Sequence, residues 1–195
     1  MTSENTSLRQ LIQENKRVLF FLLRFLSAFG GLSLLYAFWV DSFGEKADTF
    51  SWFVGRHLQL LFGAENLKLE QILGHPAIAV DYNGSSAVSL FEGCNGLAVM
   101  ILFFAFVFAF KGKWKDLLWF VPLGLGIIHL FNLGRLALLI YLAHGNSPLF
   151  HFMHKYLFTL IIYAVVFGLW VLWVRRAQST GRRAQGTEQR KEGQI

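Results

Sequence analysis

The feature that most constrains this chain is a set of apolar runs too long to bury in a water-soluble core. Val18–Val40 runs for 23 residues with Arg24 as its only charge. Gly96–Phe110 is apolar throughout, Asp116–Ala143 is a long apolar run containing Pro122, His129, Asn132 and Arg135, and Tyr156–Val174 is a further run. A helix needs about 20 apolar residues to cross the hydrocarbon core of a bilayer. It suits that solvent because its backbone polar groups are satisfied internally. The balance of residues agrees: 54% of the chain is hydrophobic and only 15% is charged, against about 25% charged in soluble domains. The expected fold is an all-α integral membrane protein of about four transmembrane helices, near 18–40, 95–110, 117–142 and 156–174. These form a single membrane domain over residues 1–174.

The segments between the runs carry the remaining organisation. Val18–Val40 is too long for a signal-peptide core, and no small-residue cleavage site follows it, so an uncleaved first span is expected. Arg24, one to two turns inside its amino end, can snorkel to the surface. Thr49–Gly63 is short and interrupted by Arg56, His57 and Gln59, which predicts an outer interfacial helix. Asn83-Gly84 lies between Ile78–Tyr82 and Ala87–Leu90. Both residues tolerate positive φ, so a small β-hairpin is expected there, delivering the chain to Glu92. Residues 175–195 have almost no apolar side chains and are expected to form a basic, disordered cytoplasmic tail.

Charge placement sets the expected topology. With the amino terminus inside, the inner segments hold 12 basic residues and the outer loops hold 4, namely Lys46, Arg56, Lys68 and Lys155. The positive-inside rule then favours a multi-pass plasma (inner) membrane protein with both termini cytoplasmic. The net charge of +6 is explained by this clustering at span ends. No basic segment is interleaved with base-stacking aromatics, so the expected partner is membrane lipid and not nucleic acid. The one cysteine excludes an intrachain disulfide, CxxC redox chemistry and cysteine-based zinc sites.

In this topology three polar signals fall at one outer level. Cys94, in Glu92-Gly93-Cys94-Asn95-Gly96, begins the second span. Arg135 lies about 20 residues into the rising third span, or roughly 30 Å at 1.5 Å per residue. His151 and His154 precede the fourth span. A thiol, a guanidinium and an imidazole are a candidate nucleophile, anion stabiliser and base. Read singly, each has a plain structural explanation: a free cysteine is usually a small buried hydrophobe, and Arg or His at a boundary can simply snorkel. Flanking glycines open the Cys94 backbone to a substrate, and a helix amino end is expected to lower the thiol pKa. Asn132, at i−3, is placed to orient Arg135. Arg135 itself is no base at neutral pH and serves to stabilise an oxyanion or thiolate, or to bind a carboxylate. Glu92 supports a basic partner or solvates the loop, and His129 is expected to be a packed histidine. No third ligand accompanies the two outer histidines in a pattern such as HExxH, so no metal and no cofactor are expected.

Taken together, Glu-x-Cys-x-Gly, Asn-x-x-Arg within a span and a His before the last span resemble the exosortase/archaeosortase family over roughly residues 75–174. The resemblance implies a multispan membrane cysteine protease/transpeptidase that processes exported proteins. Their carboxy-terminal sorting signals comprise a short motif, a transmembrane helix and a basic end. It maps the family's Cys to Cys94, its Arg to Arg135 and its His to His154, with His151 competing for that role and the active site facing outward. This chain departs from the family in carrying Gly93-Cys94-Asn95-Gly96 in place of the common Ala-Cys-Ser-Gly, and in having fewer spans than typical members. The rival reading is non-enzymatic: a membrane scaffold or accessory subunit of a secretion or cell-envelope system. A small transporter is disfavoured because no internal repeat is visible.

Overall fold

The computed structural model describes residues 15–110, 112–144 and 158–192. Its elements in chain order are α1 (Lys16–Asp41), α2 (Thr49–Phe62), β1 (Leu67–Gln71), β2 (Ile78–Tyr82), β3 (Ser85–Leu90), α3 (Leu97–Ala109), α4 (Trp114–His144) and α5 (Phe158–Glu192). Three helical segments are long and apolar enough to cross a membrane: Lys16–Asp41, Trp114–Ala143 and Leu160–Ser179. The segment expected to span over 95–110 is helical only over Leu97–Ala109, which is 13 residues, or about 20 Å of helix. The reason lies at its amino end, where Asn95 and Gly96 are used in a turn.

Membrane-type helices leave their lipid face unburied, and α1 shows this directly. It has no buried residue and packs on α3, with Phe21 edge-on to Phe106 at 5.4 Å and to Phe110 at 6.0 Å. The helical core is built by Met100, Phe103 and Val107 of α3, Phe120 and Ile128 of α4, and Val166, Leu169 and Trp173 of α5. Phe106 and Trp170 stack at 4.2 Å. Where α4 begins and α5 leaves this core, Arg176 pairs with Asp116 at 3.5 Å.

A second core caps the carboxy-terminal half of α4. Strands β1–β2–β3 form an antiparallel sheet in that order. The expected hairpin is β2–β3, and Asn83 at φ 51° with Gly84 at φ 79° makes its turn. A third strand, β1, pairs Leu67 with Tyr82 through Gln71 with Ile78. Leu67, Ile78, Val80 and Leu90 turn inward and meet Val54 and Leu58 of α2 and Leu133, Leu136 and Ile140 of α4. The predicted interfacial helix is therefore an amphipathic helix that buries Ser51, Val54, Gly55 and Leu58 against this cap. Its 14 residues are too few to cross the hydrocarbon core.

Residues 175–195 have almost no apolar side chains, and α5 continues without a break to Glu192. A helix already nucleated in its apolar half propagates readily through Arg, Ala, Gln, Glu and Lys, which are good helix formers.

Candidate active site

The site starts from a turn. The Cys94 and Asn95 amides both donate to the Phe91 carbonyl, at 2.8 and 3.2 Å. Gly96 then takes φ +86° and becomes the N-cap of α3. Only glycine adopts that conformation without strain, and a Cβ there would lie 3.0 Å from Cγ of Asn132. The Asn95 side chain assists by accepting from the Leu97 amide at 2.9 Å.

Asn132 holds the turn from α4. Its Nδ2 donates to the Cys94 carbonyl at 3.2 Å and to the Asn95 carbonyl at 2.9 Å. Two carbonyl acceptors leave no doubt which end of the amide is nitrogen. Asn132 thus spends its amide donors on the turn, one bond to the Cys94 carbonyl and one to the Asn95 carbonyl. Its Oδ1 is buried without a partner among the described residues, as is Nε of Arg135. Arg135 therefore keeps an unused, directional donor beside the turn.

Cys94 is 6% exposed. Burial pushes its pKa up, the Arg135 guanidinium pulls it down by a smaller amount, and the Glu92 carboxylate pushes it up. The expected lowering is thus reversed. Cys94 precedes the N-cap and does not lie on the first turn of α3, where the helix field acts most strongly. The loss of solvent outweighs the one nearby cation.

A buried polar chain supports the turn from the other side. Asp48 caps α2, its Oδ1 accepting from the Ser51 amide at 2.9 Å and its Oδ2 from the Ser51 hydroxyl at 2.5 Å. Asn95 Nδ2 donates to Ser51 Oγ at 3.2 Å and to the Tyr36 hydroxyl at 3.4 Å. The Tyr36 hydroxyl in turn donates to the Glu92 carbonyl at 3.3 Å. Asp48, Ser51 and Asn95 are all buried, so the chain links α1, α2 and the Cys94 turn. None of Tyr36, Asp48, Ser51 and Asn95 has a site role in the sequence reading. Asp48 with Ser51 three residues on was visible as a helix-start pattern, whereas nothing local to Tyr36 marks it.

The structure therefore brings Cys94, Glu92, Asn132 and Arg135 to one place. His151 and His154 lie outside the described residues. His129 is one turn below Asn132 on α4, packed among Phe53 at 5.4 Å, Phe50 at 6.5 Å and His57 at 5.1 Å between ring centroids. Among the described residues, no group of three or more His, Cys, Asp or Glu side chains gathers as a metal cage would.

Residues 71–171 match the family model described as transmembrane exosortase. The matched segment covers just over half of the 195 residues and contains the hairpin, the Cys94 turn, Asn132 and Arg135. No curated protein and no solved structure matches the chain significantly. The matched segment and the long apolar helices together make this chain a multi-pass membrane protein that belongs to the transmembrane exosortase family, a family of peptidase-type membrane enzymes.

Proposed function

We propose that the protein is a membrane cysteine protease/transpeptidase acting at the extracytoplasmic face on exported proteins that end in a sorting signal. The observation that carries the reading is the Cys94 turn clamped by Asn132 of α4, with Arg135 three residues further on that helix and near enough for its charge to act on the thiol, inside the family-matched segment. Cys94 Sγ attacks the scissile carbonyl, and Arg135 stabilises the oxyanion that develops. His154 takes the thiol proton and delivers it to the leaving amine as the C–N bond breaks, leaving a thioester. An amine acceptor or water then attacks the thioester and gives its proton to the same imidazole, which passes it to the cysteine sulfur as the C–S bond breaks. His151, three residues away in sequence, is the alternative base. A thiol whose pKa is raised needs such a base, because little thiolate exists beforehand. The lipid-exposed faces of the helices offer a lateral approach for the substrate's own transmembrane helix. With the basic segments inside, both termini are cytoplasmic and the Cys94 turn faces outward.

The test is precursor processing in cells carrying Cys94→Ala or Cys94→Ser. Uncleaved precursor is the expected result, and normal processing overturns the reading. One observation favours the non-enzymatic alternative: a 6% exposed cysteine inside the cap core is also what a packing cysteine looks like. A scaffold predicts that Cys94→Ser leaves processing intact while Asn132→Ala weakens the fold.

A further inference from the structure

At the end of the bundle opposite the Cys94 turn, a cavity of about 840 Å³ opens between the start of α1 and the end of α3. It is lined by Lys16, Arg17 and Arg24, together with Phe20, Phe21 and Phe110. Arg17, Phe20, Phe21 and Arg24 stand at i, i+3, i+4 and i+7, which is one stripe of a helix. The guanidinium of Arg24 lies 5.5 Å from the Phe20 ring centre.

Among the described residues these charges are uncompensated. No ion pair joins these three cations to a carboxylate among the described residues. The first turn of α1 has no acidic residue. A helix amino end already carries partial positive charge and favours anions, so Lys16 and Arg17 oppose the field of their own helix. The arrangement becomes favourable once an anion joins them. The walls indicate what kind of anion. A free hydrated anion gains nothing from three phenyl rings, whereas an amphiphile places its charge on the cations and its chains along Phe20, Phe21 and Phe110. The volume lies within the roughly 300–1,000 Å³ usual for small-molecule sites. Basic pockets between membrane helices are suited to anionic lipid headgroups.

We propose that this cavity is a binding site for an anionic phospholipid, with the headgroup phosphate held by Lys16 and Arg17 and with Arg24 reaching it from one side. The site is independent of the chemistry at Cys94.

The test is native mass spectrometry of the full chain released from micelles containing phosphatidylglycerol or phosphatidylcholine. Wild type should retain phosphatidylglycerol but not phosphatidylcholine. The triple variant K16Q/R17Q/R24Q should lower the apparent affinity about 100-fold, from roughly fivefold per charge. The control K113Q/K115Q/R175Q, which removes three other exposed cations beyond apolar segments, should bind like wild type. Arg24→Gln alone, expected to weaken binding about fivefold, decides the matter if the triple variant does not fold. Equal losses in both triple variants would mean diffuse surface charge and overturn the proposal. So would equal retention of phosphatidylcholine, or displacement of the lipid by excess inorganic phosphate.

Discussion

The two ends of the helical bundle solve opposite problems. At the Cys94 end, Tyr36, Asp48, Ser51 and Asn95 bond to one another, and Asn132 bonds to the turn backbone, through directional bonds of 2.5–3.4 Å. At the Lys16 end, contact is mainly aromatic, Phe21 on Phe106 and Phe110 and Phe106 on Trp170, and cations line the open cavity. Aromatic packing tolerates small shifts because it is only weakly directional. Buried hydrogen bonds do not, because each broken one leaves a desolvated group unpaired. The end proposed to hold a reactive atom in register is thus the end built from directional bonds, and the end proposed to meet lipid headgroups is built from adaptable ones.

Experiments can break this contrast in a definite order. The largest expected effect is Cys94→Ala, which should lower precursor processing by on the order of 10³-fold or more if the thiol is the nucleophile. Helical content by circular dichroism should stay unchanged. Next is Asn132→Ala. Leaving the Cys94 and Asn95 carbonyls without their donor should cost about 2–6 kcal/mol at ~1–3 kcal/mol per buried group, read as a fall in the melting temperature of the purified protein. A change no larger than that of an exposed substitution would show that the clamp is dispensable. Gly96→Ala should follow at about 1–2 kcal/mol for the left-handed conformation, with the Asn132 contact adding to it.

A smaller effect concerns the thiol itself. Because burial raises its pKa, Cys94 is protonated at neutral pH, and its alkylation rate should rise with pH to a midpoint above that of an exposed cysteine. Arg135→Ala removes the group that lowers the pKa and should move the midpoint further up. Glu92→Gln removes one that raises it and should move the midpoint down. Shifts of the reverse sign, or none, would separate Arg135 from the thiol. The smallest effect belongs to the other end. Arg176, half exposed in its pair with Asp116, should cost about 0.2–1 kcal/mol when replaced by Ala, with the difference fading at high salt. A loss as large as that of Asn132→Ala would mean that the two ends are not built differently after all.

The sequence alone determined whatever depends on local pattern and solvent. Run lengths and low charge required a membrane, because no soluble core of this size could absorb that apolar surface. Asn83-Gly84 required the hairpin, because both positions need positive φ. The order of the runs put Cys94 and Arg135 at one level, since a helix advances by a constant rise. Tertiary structure decided whatever depends on neighbours distant in the chain. β1 is a strand because β2 offers it an edge, while its own sequence, Leu67-Lys-Leu-Glu-Gln71, is too short and polar to announce it. Asn132 serves the Cys94 turn because α3 brings that turn to α4, and no spacing within α4 could reveal two carbonyl acceptors 37 and 38 residues away. Tyr36 joins the site from a helix that otherwise lies open to lipid. The thiol pKa rises, against the local expectation, because desolvation is the sum of everything packed around Cys94, and only the assembled cap determines that sum.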